Sequence, residues 1–264
     1  MTETHDGQKM SGEVTRVPAA SKLREVREFF ETPQQYLGGR MWNVRIRAET
    51  VQEFTRGIDF HTVLDIGCGN GSISLPLLQA GRRLTMLDLS TSMTRLASSN
   101  VPAGLADNVE FINQDFMQAD LKPDSYDLIV CLGLLAHVDS PLDFLGKIGT
   151  VLKPGGALVL EFSDARSLGG RILRSYHWLC ALRKPPTYAL NHLSIGVVRG
   201  LLERHKLRLV KTFRYGSPPL PYVGKKIDPD TMHRAARAVF GTTAGNRNRW
   251  LGGEYICLVT NDKG

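Results

Sequence analysis

Between Val63 and Leu77 the chain reads VLDIGCGNGSISLPL, an apolar run that ends in a carboxylate and passes through three alternating glycines into a second apolar run. Gly67, Gly69 and Gly71 allow tight turns and a close backbone approach to a ligand, as nucleoside-binding loops require. The spacing departs from the dinucleotide fingerprint, whose third glycine falls one residue later, where this chain has Ser72. Asp65 discriminates further. A carboxylate at a strand end repels a pyrophosphate but attracts an ammonium or sulfonium, so the loop suits a cationic nucleoside better than a dinucleotide.

Four more segments follow in order: Leu84 to Ser90 with Asp88, Val109 to Phe116 with Asp115, Tyr126 to Leu132, and Val151-Leu-Lys-Pro-Gly-Gly156 running into Ala157 to Leu160. Together with the glycine loop they resemble the class I S-adenosylmethionine-dependent methyltransferases, and weakly the ubiquinone and porphyrin small-molecule branch through Gly71 to Pro76. The resemblance implies an α/β Rossmann-like fold: a mostly parallel seven-stranded sheet, helices on both faces, an N-terminal helical cover and lid insertions in the C-terminal half. It implies S-adenosylmethionine as cofactor and S-adenosylhomocysteine as product. It assigns Gly67, Gly69 and Gly71 to the aminoacyl part, Asp65 to its ammonium, Asp88 to the ribose hydroxyls, and Asp115 to the adenine amino group. Leu89 and Met93 are expected to flank the adenine, the backbone of Phe116 to meet its ring, and the carbonyl of Leu132 to take the ammonium. Tyr36 or Arg40 closes over the cofactor carboxylate in relatives with a helical cover. For Asp88 and Asp115 a helix-capping role is the competing reading, because Asp is favoured at strand-to-helix turns.

Methyl transfer asks little of side chains beyond alignment in a dry pocket, and a base is needed only where the acceptor must lose a proton. His137, just after the fourth strand, is the candidate base; the alternative is that it braces its loop. Trp42, Tyr176, His177, Tyr188 and His192 are candidates to face the acceptor, although Trp42 also suits a core position. The seven histidines show no metal-ligand spacing, and metal-independent chemistry is expected.

The elements that must position these groups follow from apolar periodicity. Strands are expected at 62–66, 84–88, 108–112, 126–132 and 156–163, with helices near 71–80, 91–99 and 141–152. A helix from Ser194 to His205, a strand from Leu207 to Phe213 and a last strand from Tyr255 to Thr260 complete the alternation. Leu23, Val26, Phe29 and Phe30 suggest a helix over 21–35, and Trp42, Val44, Ile46, Val51 and Phe54 another over 41–54. The organisation expected is a flexible stretch over 1–20, a helical cover over 21–58, and a catalytic domain over 59–264 with insertions at about 165–192 and 215–250. In the first insertion Ile172, Leu173, Tyr176, Leu179 and Leu182 share a helical face suited to a lid or an anionic membrane surface.

A chain of 264 residues, 42% hydrophobic, buries one substantial core. No apolar window reaches the roughly 18 residues of a membrane span, and Met1 to Lys9 is polar; a cytoplasmic protein is expected, with peripheral membrane contact as an option. Cys68, Cys131, Cys180 and Cys257 are scattered and read as reduced packing residues. From Arg166 to Trp250 there are 17 Lys and Arg against 3 acidic residues, a local balance of +14 within a net +7. Such a region suits an anionic partner or a solvated face. The leading reading is a methyltransferase for a lipophilic or anionic small molecule; the alternatives are an RNA methyltransferase and a cofactor-binding protein without turnover. Cys131-Leu-Gly-Leu134 stands where base-modifying enzymes carry an Asn/Asp-Pro-Pro-Tyr-like tetrapeptide, which counts against nucleobase methylation.

Overall fold

The computed structural model describes residue 31 and residues 41–167, 191, 193–216 and 227–262. The expected helix over 21–35 apart from Glu31, the helical face in 171–184, and Tyr36, Arg40, Tyr176, His177, Tyr188 and His192 lie outside the described residues.

Five short segments, each an apolar run bounded by turn residues, form strands β1 (Thr62–Ile66), β2 (Arg83–Leu87), β3 (Val109–Ile112), β4 (Tyr126–Cys131) and β5 (Leu152–Ser163), which pair in parallel. Strands β6 (Leu207–Tyr215) and β7 (Glu254–Asn261) complete a seven-stranded sheet of order β3-β2-β1-β4-β5-β7-β6, with β7 antiparallel to both neighbours. The strand order reverses between β1 and β4, and the crevice at their carboxyl ends is where such sheets bind ligands.

Adjacent residues of each central strand point to opposite faces, and both faces are covered. Val63, Leu128, Val130 and Val159 join one core with helices α1 (Met41–Thr55), α2 (Thr91–Ser99) and α5 (Pro229–Phe240). Leu64, Ile129, Cys131 and Leu158 join the other, under α3 (Pro141–Val151) and α4 (Ile195–Arg204). Helix α1 buries Trp42, Ile46, Val51 and Phe54, and each such side chain stabilises by roughly 1.5–3 kcal/mol relative to exposure. A hydrogen bond between Glu49 and His233 (2.8 Å) and an ion pair from Glu49 to Arg237 (2.8 Å) hold α1 on α5.

Three boundaries differ from expectation. The helix near 71–80 is only a 3-10 turn at Leu75–Leu77, since Gly71 is left-handed (φ 79°) and Pro76 can donate no backbone hydrogen bond to extend the turn. Strand β5 begins at Leu152 rather than 156, because Leu152 already pairs with Tyr126 of β4, the Lys-Pro-Gly-Gly segment forms the register shift before Ala157 pairs with Leu128, and Asn261 Nδ2 donates to the carbonyls of Leu152 and Lys153. Within 215–250 the chain forms α5, capped by Asp228, whose carboxylate accepts from the amides of Asp230 and Thr231 at 3.0 Å each. Among the described residues no helix is long and apolar enough to cross a membrane.

Candidate active site

The glycine loop leaves β1 at the switch point. The amides of Gly67 and Cys68 donate to the carbonyl of Leu87 at 2.7 and 3.1 Å, fastening the loop to β2. Gly67, Gly69 and Gly71 all have positive φ (72°, 53° and 79°). They differ in what a side chain would meet. A Cβ on Gly67 would stand 2.6 Å from Leu134 Cδ1 and one on Gly71 2.6 Å from Leu75 Cδ1, whereas one on Gly69 would meet nothing within 4 Å. Gly69 is therefore the glycine that opens on the crevice.

Beneath the loop, Asp65 is 3% exposed and its Oδ2 has no hydrogen-bond partner among the described residues. Burial pushes its carboxyl up to about 7; the negative charge of Asp88 adds to this and the Ser74 hydroxyl partly offsets it. A buried carboxylate without a cation is costly. An arriving ammonium would be its natural counter-charge.

Asp88 stands at the end of β2, its carboxylate turned onto backbone: Oδ2 accepts from the Gly69 amide and Oδ1 from the Ser90 amide, both at 2.9 Å. Each oxygen retains a further lone pair for a hydroxyl. Burial raises its pKa, the nearby charge of Glu31 adding to it, against the two amides. Glu31 itself accepts from the amides of Thr91 (3.1 Å) and Ser92 (3.3 Å) and from Ser92 Oγ (2.6 Å), capping α2 beside Asp88. Sequence reasoning missed this residue; it lies far away in the chain and carries no local motif.

The remaining cofactor candidates are disposed along the same edge. Asp115 caps its own turn, Oδ1 accepting from the Met117 amide at 3.1 Å, and Lys147 Nζ donates to the carbonyls of Met117 and Ala119. The Phe116 ring packs edge-on to Phe144 with centroids 5.1 Å apart, so only its backbone can face a ligand. Leu89 is half-buried, Met93 is 1% exposed, and Leu132 is buried at the tip of β4. The buried thiols of Cys68 and Cys131 are pushed up, chiefly by burial, and Cys257 rises to about 12 for the same reason.

The loop after β4 carries His137, whose amide donates to the Leu134 carbonyl at 2.7 Å. Asn191, another residue missed by sequence reasoning, clamps this loop: its Nδ2 donates to the carbonyls of Leu135 (3.2 Å) and Val138 (2.6 Å), and its amide to that of Ala136 (2.9 Å). On the other side, the Arg47 guanidinium would lie 3.4 Å from a Cβ on Gly133. It pairs with Glu161 through Nε (2.9 Å) and Nη2 (2.6 Å), and the Tyr215 hydroxyl donates to the same carboxylate at 2.7 Å. Glu161 is 1% exposed and Tyr215 fully buried, so this wall is rigid. Trp42 is buried in α1 and lines a cavity of about 300 Å³ that also touches Ser72. Among the described residues no group of three or more His, Cys, Asp or Glu could hold a metal ion.

The sheet order and the glycine loop are similar to those of the class I S-adenosylmethionine-dependent methyltransferases. Comparison supports this directly: residues 63–156 match the family described as "Methyltransferase domain". A ubiquinone biosynthesis O-methyltransferase of Actinobacillus pleuropneumoniae is 31% identical over 135 residues, 50% of this chain and 55% of that protein. The chain thus spans about half the length of the curated relatives it matches. The magnesium protoporphyrin IX methyltransferase of Synechocystis PCC 6803, solved with bound SAH, superposes over 91% of this chain and 99% of its own with a TM-score of 0.61 at 18% identity. The cyclase SpnF covers 94% of this chain and 99% of its own with a TM-score of 0.64 at 17% identity. A methyltransferase and a cyclase on one architecture leave the reaction to be argued from the site.

Proposed function

We propose that the protein transfers the methyl group of S-adenosylmethionine to a hydroxyl of a small, lipophilic or anionic molecule. The carrying observation is the buried Asp65 carboxylate, whose Oδ2 has no hydrogen-bond partner among the described residues, at the end of the strand that leads into a glycine loop open at Gly69. The chemistry of these groups fits a cationic nucleoside. Bound there, S-adenosylmethionine supplies a methyl group already activated by its positive sulfur.

Asp65 holds the ammonium, the Gly67–Gly71 turn the aminoacyl portion, Asp88 the ribose diol and Asp115 the adenine amino group, with Leu89 and Met93 beside the ring. Leu132 offers its carbonyl to the ammonium. His137 takes the hydroxyl proton as the new oxygen–carbon bond forms and the sulfur–methyl bond breaks, the neutral thioether S-adenosylhomocysteine leaving. The matched relatives named as O-methyltransferases of ubiquinone biosynthesis support an oxygen acceptor on a small molecule. The basic stretch from Arg166 to Trp250 supports an anionic one.

Calorimetry with S-adenosylhomocysteine, followed by an acceptor screen with radiolabelled methyl donor, tests the reading. Binding together with label in a lipophilic or anionic small-molecule extract is expected. Label in RNA alone, with binding that collapses as salt rises, would replace it with the nucleic-acid reading, and binding without turnover in any extract would leave a sensor.

A further inference from the structure

A cavity of about 360 Å³ lies beyond the carboxyl end of β5, between the end of β6 and the start of β7. It opens on the same edge of the sheet as the glycine loop, since β6 runs parallel to β5. Two arginines and one carboxylate line it. Arg214 is committed: Nη2 pairs with Asp164 Oδ2 at 2.7 Å, Nε donates to the Gly252 carbonyl at 2.8 Å, and the guanidinium stacks 4.7 Å over Tyr255. Asp164 is committed too, its other oxygen accepting from the Arg166 amide at 2.9 Å. The exposed Arg166 side chain takes part in no ion pair among the described residues, so among them its positive charge has no counter-charge.

A second, independent feature faces the same space. Ser194 is 7% exposed, lines the cavity, and its hydroxyl makes no capping hydrogen bond, leaving the N-terminus of α4 without a side-chain cap among the described residues. The first turn of α4 contains no acidic residue to answer the helix dipole. A Cβ on Gly196 would meet nothing within 4 Å, so the backbone there is open to approach. Trp250, 66% exposed, forms a wall of the cavity. A large indole left in water beside this guanidinium, a non-capping hydroxyl and uncapped helix amides makes a combination suited to a ring that bears an anion.

We propose that this cavity binds an anionic group, carboxylate or phosphate, attached to a flat ring: Arg166, the Ser194 hydroxyl and the first amides of α4 hold the anion, and Trp250 packs on the ring. As the acceptor's anchoring site it rests on the methyltransferase reading above, which it narrows to anionic ring compounds.

The test titrates the full chain with phenyl phosphate, benzoate and phenol while following tryptophan fluorescence, with S-adenosylhomocysteine affinity measured on every variant. Saturable quenching by at least one of the two anions and none by phenol is expected; which anion binds tighter distinguishes phosphate from carboxylate. Arg166→Ala is expected to weaken that binding about tenfold or more, and Ser194→Ala severalfold, as for loss of a charge-assisted hydrogen bond. Trp250→Phe removes the optical signal, with binding still seen by calorimetry, and none of the three variants alters cofactor affinity. Phenol binding as tightly as the anions, or undiminished affinity in Arg166→Ala, overturns the site. Cofactor binding without anion binding sinks this inference alone, and anion binding without cofactor binding sinks the methyltransferase reading while sparing the anion site.

Discussion

Asp88 Oδ2 accepts a 2.9 Å hydrogen bond from the amide of Gly69, so the carboxylate at the tip of β2 shapes the very turn that opens on the crevice. One residue thereby holds the loop and, in the proposed reading, also offers oxygens to the ribose diol. Asp88→Ala removes both. S-adenosylhomocysteine affinity is expected to fall about a hundredfold, as for loss of two hydrogen bonds to a charged acceptor at about 1.5 kcal/mol each. Unchanged affinity in calorimetry would contradict the ribose assignment.

Gly69→Ala separates space from stability. The left-handed backbone (φ 53°) costs an alanine roughly 1–2 kcal/mol, yet its methyl meets no protein atom within 4 Å. A melting temperature a few degrees lower is expected, with cofactor affinity down by more than tenfold. Gly67→Ala, whose methyl would press on Leu134, is expected to lose more stability. If Gly69→Ala bound cofactor normally, the crevice would lie elsewhere.

The raised carboxyl of Asp65 carries a pH signature. Its folded pKa of about 7 lies above the unfolded value, so its stability cost is absent below about pH 4, grows as pH rises through 7, and is full above that. Asp65→Asn is therefore expected to match the parent near pH 4 and to exceed it by a few kcal/mol at pH 8 in denaturant melts. A cation that needs the ionised form should bind the parent more tightly as pH rises toward 7, releasing a proton on binding. Calorimetry in buffers of different ionisation enthalpy reads that proton, and its absence would count against an ammonium at Asp65.

Asn191 is a positioning residue for the His137 loop, through three hydrogen bonds. Asn191→Ala is expected to lower kcat about tenfold or more while leaving S-adenosylhomocysteine affinity unchanged. His137→Ala is expected to do the same, and added imidazole to restore part of its turnover but none of the Asn191 variant's. Full activity in His137→Ala would assign that histidine to bracing.

Much of the sheet was legible because its strands are buried on both faces and read as apolar runs: Val63 to Ile66 and Leu128 to Cys131 could hardly be anything else. The helix expected near 71–80 failed on Pro76, a residue visible in the sequence but outweighed there by the apolar residues around it. Helix α5 carried its own signals, an Asp-Pro start and Met232, Ala236 and Phe240 at helical spacing, inside a stretch read only as an insertion. Local motifs announced Asp65, Asp88 and the glycines. Glu31, Asn191 and the Arg47–Glu161–Tyr215 wall could not be announced so, because contacts across more than 50 residues leave no periodic trace.

Strand β7 lies between β5 and β6, although it follows both in the chain. During synthesis β6 therefore emerges with no strand to pair with, and the outer edge of β5 stays unpaired until β7 has left the ribosome. The parallel half can assemble while the chain is still growing; the antiparallel half closes only afterwards, exposing an adhesive edge in the interval.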